Sequence, residues 1–151
     1  MPKPEAKAQD SRYSDKHYPH WFQQENAPVL SHTLFKTTIA PEVGIEHPTL
    51  LVGIDNLRCD QWKTIEATVN AHYKVKDEML YYSILPTATQ YARNAIFSGH
   101  TPKEMETHYP KYWKNDTDEG GKNLYEDKFL ETQLKRLGLS NLNHEYIKIT
   151  N

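Results

Sequence analysis

Two oxygen-bearing side chains, each close behind an apolar run, could together carry out phosphoryl chemistry. Asp55 ends the run TLLVGID, and Thr89 lies in the stretch LPTATQYARNAIFSGHTP, residues 85–102, just after a second apolar run. A carboxylate can bind a divalent metal ion, and a hydroxyl on that ion loses its proton more easily and becomes a nucleophile. The backbone N–H groups that open a helix after Thr89 would favour an anion such as phosphate.

Both residues also have a purely structural interpretation. Asp and Thr are favoured N-cap residues, so Asp55 and Thr89 could each do no more than begin a helix. Arg93 and Asn94 follow Thr89 on the predicted helix and are weak substrate-binding candidates, because such side chains are more often solvated. His100 is interpreted as a surface residue, since the eight histidines show no metal-binding spacing such as HExxH.

Alternating strands and helices would bring the two candidates together. The apolar runs predict parallel strands at residues 49–55, 79–84 and 145–149, and helical periodicity predicts helices near residues 57–72, 90–97 and 125–137. Ligands of open α/β sheets bind beyond the carboxyl ends of strands. We therefore expect the Asp55 carboxylate and the Thr89 hydroxyl at one rim of the sheet, within about 5 Å of each other.

Composition limits the class of protein. The 151 residues suffice for one domain, and the net charge of −2 lacks the basic excess of a typical nucleic-acid binder. A single cysteine, Cys59, excludes an internal disulfide framework. No membrane span and no secretory leader are recognised, so we expect a soluble cytoplasmic protein. The apolar fraction of 37% is low and suggests a piece of a larger protein.

The stretch around Thr89 resembles the nucleophile segment of the alkaline phosphatase superfamily. In the nucleotide phosphodiesterase branch, Pro-Thr-x-Thr opens a helix that ends in a small residue and Gly, as Pro86, Thr87, Thr89, Ser98 and Gly99 do here. A closer resemblance is to the PglZ domain of PorX-type response regulators, which serve type IX secretion. It is carried by the segments NAPVLSHTLFK, IDNLRCDQW, SILPTATQYARNAIFSG, YWKNDTDEGGKNLYE and KRLGL.

This resemblance implies a zinc-dependent phosphodiesterase or phosphatase that acts on a phosphate ester or nucleotide. Thr89 would be the nucleophile, Asp55 would bind the zinc ion that activates it, and Thr89 would share that ion. The family uses two zinc ions, held also by later Asp and His ligands that include an Asp-His pair absent from this sequence. At most a partial zinc site is therefore expected, and the chain alone is expected to be inactive.

The resemblance also implies a domain organisation. Residues 1–18 would be a disordered tail or linker, and residues 19–46 a helical connector segment. Residues 47–151 would be the N-terminal portion of a PglZ, alkaline-phosphatase-like domain of the α/β class, the first part of a parallel sheet flanked by helices. The receiver domain that would face a sensor histidine kinase is missing, so the chain is expected to be a fragment.

Two other functions stay open at this point. One is a non-catalytic signalling or interaction module that binds a protein partner. The other is an ordinary α/β domain in which Asp55 and Thr89 are helix caps.

Overall fold

The computed structural model describes residues 17–24, 26–44, 47–115 and 118–149, so nearly all of the predicted tail lies outside the described residues. The helices are α1 (Ser31–Leu34), α2 (Cys59–Asn70), α3 (Thr89–Ser98), α4 (Pro102–His108) and α5 (Glu126–Arg136). Helix α1 continues as a π-helical turn, Phe35–Ile39, and a 3₁₀ turn, Ala40–Glu42. Residues 17–21 are also helical.

Helix α3 lies at the centre of the described structure and packs against α1, α4 and α5. The core is a cluster of five buried side chains, with several tyrosines packed around it: Ile84, Ala95, Met105, Trp113 and Phe129. Full burial of a side chain such as Phe129 stabilises the fold by about 1.5–3 kcal/mol. Because these residues come from separate segments, the core forms only when α3 and α5 are packed together.

The segment at residues 17–21 packs against the chain that leads into α3. The backbone N–H of Leu85 donates to the Tyr18 hydroxyl at 2.7 Å, and the rings of Trp21 and Tyr82 lie 4.7 Å apart. The aromatic stretch HYPHWF therefore helps to fix the backbone immediately before Thr89.

The predicted parallel sheet is wrong, and the described chain is helix and coil. Within the described ranges no strand forms, and the one pairing outside helices is a parallel bridge between Leu30 and Tyr82. The apolar side chains of the predicted strands are exposed instead, with Leu50 at 81%, Leu80 at 93% and Ile149 at 89%. An apolar run favours extended backbone, but a strand also needs neighbouring backbone to exchange hydrogen bonds with it, and described residues do not provide this.

The helix predictions are confirmed. Helices α2, α3 and α5 begin and end within two residues of the predicted bounds. Gly99 ends α3 with φ of 65°, and Gly138 follows α5 with φ of 74°. Both glycines therefore provide the left-handed conformation that commonly ends a helix.

Side chains of α5 satisfy the carbonyl groups at the end of α3. The buried Gln133 donates from Nε2 to the carbonyl oxygens of Ile96 and Phe97, at 2.9 and 3.0 Å. Arg136 donates from Nη2 to the carbonyl of Ser98. These carbonyls have no partner within the helix, so the bonds from α5 replace water at that end.

The two helix-ending glycines should differ in their tolerance of alanine. A methyl group at Gly99 would collide with the Gln133 side chain, whereas nothing lies within 4 Å of a methyl group at Gly138. Gly138→Ala should cost about 1 kcal/mol, the strain of the left-handed conformation alone. Gly99→Ala should cost about 2–4 kcal/mol, because it also displaces Gln133. Urea unfolding measures both, and equal losses would contradict the proposed role of Gln133.

Candidate functional site

Thr89 is the first residue of α3, and it is not a cap. Ala88 is the N-cap residue and makes no side-chain hydrogen bond. The first amides with an intrahelical acceptor are those of Tyr91 and Ala92, which donate to the carbonyl of Ala88 at 2.9 and 3.0 Å. The Thr89 hydroxyl has no hydrogen-bond partner among described residues. The hydroxyl and the first amides of α3 are therefore free to bind a ligand.

Asp55 is not a helix cap either. Helix α2 begins at Cys59, and its N-cap residue is Arg58. The Asp55 carboxylate instead accepts from the backbone N–H of Asn56 at 2.9 Å, in a turn where Asn56 has φ of 58°. Its other oxygen accepts from Arg93 Nη1 at 3.3 Å. The capping interpretations of Asp55 and Thr89 are both wrong.

Arg93 connects Asp55 to the start of α3. It lies four residues after Thr89, so the two residues share one face of the helix. Side chains on a helix lean toward its N-terminus, which carries the Arg93 guanidinium in the direction of Thr89. The contact with Arg93 thus places Asp55 beside the first turns of α3. The separation of the Asp55 carboxylate and the Thr89 hydroxyl, expected within about 5 Å, stays a prediction.

A buried carboxylate holds Arg93 from the other side. Glu126, the first residue of α5, is only 1% exposed. Its Oε2 accepts from Arg93 Nη2 at 2.8 Å, and its Oε1 lies 2.8 Å from Arg93 Nε without the alignment of a hydrogen bond. The hydroxyl of Tyr146 donates to Oε2 at 2.6 Å, and Lys148 Nζ lies 3.7 Å from it.

Burial and the Glu126 carboxylate raise the pKa of Tyr146 to about 12, so its hydroxyl stays protonated and donates. Burial alone would lower the pKa of Arg93, but Glu126 and Asp55 outweigh it and the pKa is raised. The sequence offers no signal for this role of Glu126, because an acidic residue in the first turn of a helix is common on exposed surfaces too.

Asn94 connects α3 to the loop before α5. It is 1% exposed, and its Nδ2 donates to the carbonyl of Lys122 at 3.2 Å. Its Oδ1 has no hydrogen-bond partner among described residues. A substrate contact by Asn94 therefore stays a prediction.

The described donor groups do not fit a zinc site. Within the described ranges, no three His, Cys, Asp or Glu side chains are arranged to hold a metal ion. Asp55 and Thr89 offer one carboxylate and one hydroxyl, whereas protein zinc sites use three or four side-chain ligands. Asp55 is in addition already paired with a guanidinium.

A groove at the far end of α3, called the histidine groove below, is lined by His32 and His108, and the ring of His100, interpreted above as a surface residue, lies next to that of His108. Its volume is about 480 Å³, and its walls include Phe22, His32, Glu104 and His108. The His100 side chain is only 17% exposed, and its ring lies 5.6 Å from that of His108. Burial lowers the pKa of both His32 and His100.

The comparison with family models identifies the chain. The PglZ model, described as the BREX system PglZ alkaline phosphatase-like domain, matches residues 34–149. This range covers most of the chain, so the chain belongs to the PglZ family and carries a phosphoesterase-like module. The match includes Asp55, Thr89, Arg93 and Glu126 and begins inside the predicted connector segment. No curated protein matches the chain. In the described part, every helix is too short or too polar to cross a membrane.

Removal of the Glu126 charge should destabilise the fold. Glu126→Gln leaves Arg93 without its buried counter-charge, and removing one partner of a buried ion pair costs about 3–5 kcal/mol. We expect a smaller loss of about 2 kcal/mol, because the Arg93 side chain is 29% exposed. Glu131→Gln on the same helix is the matched control and should leave the urea midpoint nearly unchanged, because exposed ion pairs contribute little to stability. Urea unfolding that shows equal effects would contradict the assignment.

The histidine groove should make stability depend on pH. Because the pKa of His32 and His100 is lowered in the fold, the folded state disfavours their protonation. The unfolded chain takes up these protons near pH 6.5, so stability should fall as the pH decreases below about 6.5. The charged neighbours are Glu104, which favours protonation of both rings, and Arg136, which disfavours that of His100.

The urea midpoint at pH 7.5 and pH 5.5 measures this effect. His100→Gln should reduce the difference between the two midpoints, whereas His72→Gln, at an exposed position, should leave it unchanged. The same midpoint difference in the wild type and both variants would show that the histidine groove does not cause the pH dependence.

Proposed function

We propose that this PglZ-family chain is the phosphoester-binding part of a phosphodiesterase-like or phosphatase-like module, with Thr89 as its nucleophile. One observation carries the proposal: inside the family match, the Thr89 hydroxyl has no hydrogen-bond partner among the described residues and lies at the uncapped start of α3. A hydroxyl that served only as a cap would accept a backbone N–H there, and this one does not.

The proposed chemistry transfers a phosphoryl group through the threonine. Thr89 Oγ1 attacks phosphorus, the bond from phosphorus to the leaving oxygen breaks, and the proton of the hydroxyl ends on the released alcohol. Water then cleaves the phosphothreonine and restores the hydroxyl. The first amides of α3 would donate to the phosphate oxygens, as helix N-termini commonly do. Arg93 is the nearest described cation on the same helix face.

Zinc is the proposed cofactor by resemblance, with Asp55 and Thr89 as ligands of a partial site. The described donors do not complete such a site, so no step of the proposed chemistry passes through the metal. We propose that the chain by itself is a poor catalyst for this reason.

The proposed setting is the output domain of a response regulator that receives its signal from a sensor histidine kinase. The proposed substrate is a phosphate ester or a nucleotide. Both proposals rest on the resemblance of the segments around Asp55 and Thr89 to PglZ domains of that type.

A second candidate is a non-catalytic interaction module. The exposed apolar side chains of the unpaired extended segments favour it, since contiguous exposed apolar surface often marks a protein contact. Leu50, Val52 and Ile54 belong to one such segment, with exposures of 81%, 64% and 58%.

Binding of inorganic phosphate, the product analogue, tests the proposed function. Backbone amide NMR shifts are followed during a phosphate titration at constant ionic strength with EDTA present. We expect the largest shifts at the amides of Thr89 and Gln90. Helix α2 is the internal control, because the Asp60 carboxylate lies in its first turn and disfavours a second anion there. Equal shifts at both helix starts, or none, would refute the site and favour the interaction module.

Hydrolysis of a chromogenic phosphodiester with added zinc tests the catalytic part. The chain alone should show little or no turnover, because a deficit of about 4 kcal/mol in leaving-group stabilisation slows a reaction about a thousandfold. Any residual turnover should disappear in Thr89→Ala and persist in Thr87→Ala, the matched control two residues earlier. Robust zinc-dependent turnover would show that the chain has ligands other than those assigned, and an active Thr89→Ala variant would exclude the threonine as nucleophile.

A further inference from the structure

The two edges of the Arg93 guanidinium have different surroundings. The inner edge, formed by Nε and Nη2, faces the buried Glu126 at 2.8 Å from each carboxylate oxygen. Glu126 is in turn held by Tyr146 and lies near Lys148. With this many contacts on a carboxylate that is 1% exposed, the inner edge is fixed.

The outer edge of Arg93 is held weakly. Its Nη1 contacts Asp55 Oδ2 at 3.3 Å, which is longer than the usual 2.7–2.9 Å of a charge-assisted hydrogen bond. The side chains of Arg93 and Asp55 are 29% and 40% exposed, so water reaches this contact. A guanidinium carries five N–H donors, and Glu126 and Asp55 do not occupy all of them.

Arg93 lies on the helix face that carries the proposed nucleophile. Arg93 is four residues beyond Thr89 on α3 and leans toward the N-terminus of the helix. Arginine binds phosphate oxygens through two parallel N–H groups, a geometry that a fixed guanidinium presents without further ordering.

We propose that Arg93 is the anion-binding cation of the Thr89 site, that Glu126 is the residue that positions it, and that Asp55 competes with the anion for its outer edge. This inference rests on the proposed function and names the residues that select its ligand, a phosphate group. It differs from a purely structural ion pair between α3 and α5, which would not change phosphate affinity.

The competition predicts that removal of a carboxylate increases the affinity for phosphate. Without metal, Asp55→Asn should strengthen phosphate binding, because it removes a negative charge beside the ligand and releases the outer edge. The dissociation constant should fall roughly tenfold, as expected for one charge a few ångströms away at a protein surface. Arg93→Gln should raise the dissociation constant by roughly tenfold or more. Arg93→Lys should give an intermediate value, because lysine keeps the positive charge but lacks the two parallel N–H donors of the guanidinium.

The test is the phosphate titration followed at the Thr89 and Gln90 amides, in EDTA, for wild type and these variants. Asp60→Asn is the matched control, since Asp60 is an exposed carboxylate of α2 paired with Arg58 at 2.8 Å. It should leave the dissociation constant unchanged. Asp55 lies in an exposed turn, so Asp55→Asn keeps the test decisive even if the Arg93 variants fold poorly.

The outcomes separate this inference from the proposed function. If phosphate shifts the two amides equally well in wild type and Arg93→Gln, the phosphate site stands and the role of Arg93 is refuted. Weaker binding by Asp55→Asn would refute the competition. If phosphate shifts neither amide in the wild type, the proposed function and this inference both fall.

Discussion

Polar side chains of α5 bind α3 near both of its ends, and the geometry of the candidate site depends on this arrangement. Glu126, at the start of α5, fixes Arg93 in the first half of α3. Gln133 and Arg136, near the end of α5, bind the last carbonyls of α3. Between these contacts, Ala95 and Phe129 are buried in the same core. Two helices joined at both ends cannot slide along each other, so the start of α3 has a defined position.

This arrangement explains why the start of α3 can be left uncapped. An absent N-cap bond typically costs about 1 kcal/mol, and the burial of Glu126 adds a desolvation cost. The core contacts and the polar contacts of α5 stabilise the packed pair of helices by more than these costs. The first turn of α3 therefore does not have to be stable by itself. Local features that weaken a fold while exposing polar groups are typical of ligand sites.

The two ends of α3 therefore differ in chemistry. The first turn presents a hydroxyl and amides that have no partner among the described residues, and Arg93, one turn later, presents a fixed guanidinium. All of these groups suit an anion. The far end is closed by α5 and leads into a groove lined by histidines. The family match covers both ends of α3 and does not distinguish them, so the choice of the first turn as the candidate site rests on its geometry.

The sequence by itself determined the helices and the family, whereas the chemistry of Asp55 and Thr89 stays a prediction. Helix bounds follow from local signals, such as apolar spacing and the glycines at positions 99 and 138. The observed bounds of α2, α3 and α5 therefore lie within two residues of the predicted ones. The motif around Thr89 is also local, because Thr89 and the helix that it begins are adjacent in the chain. These features need no knowledge of distant contacts.

Only the tertiary structure decided pairing, burial and charge partners. The run at residues 49–55 has the composition of a buried strand, but burial depends on neighbours that described residues do not supply, and the run is exposed. Glu126 has the local pattern of a solvated residue, yet it is buried because Arg93 and Tyr146, 33 and 20 residues away, meet its carboxylate. Asp55 and Thr89 suit capping by residue type, but the backbone begins each helix at a different place. Contacts between distant segments set these properties, and local sequence patterns do not encode them.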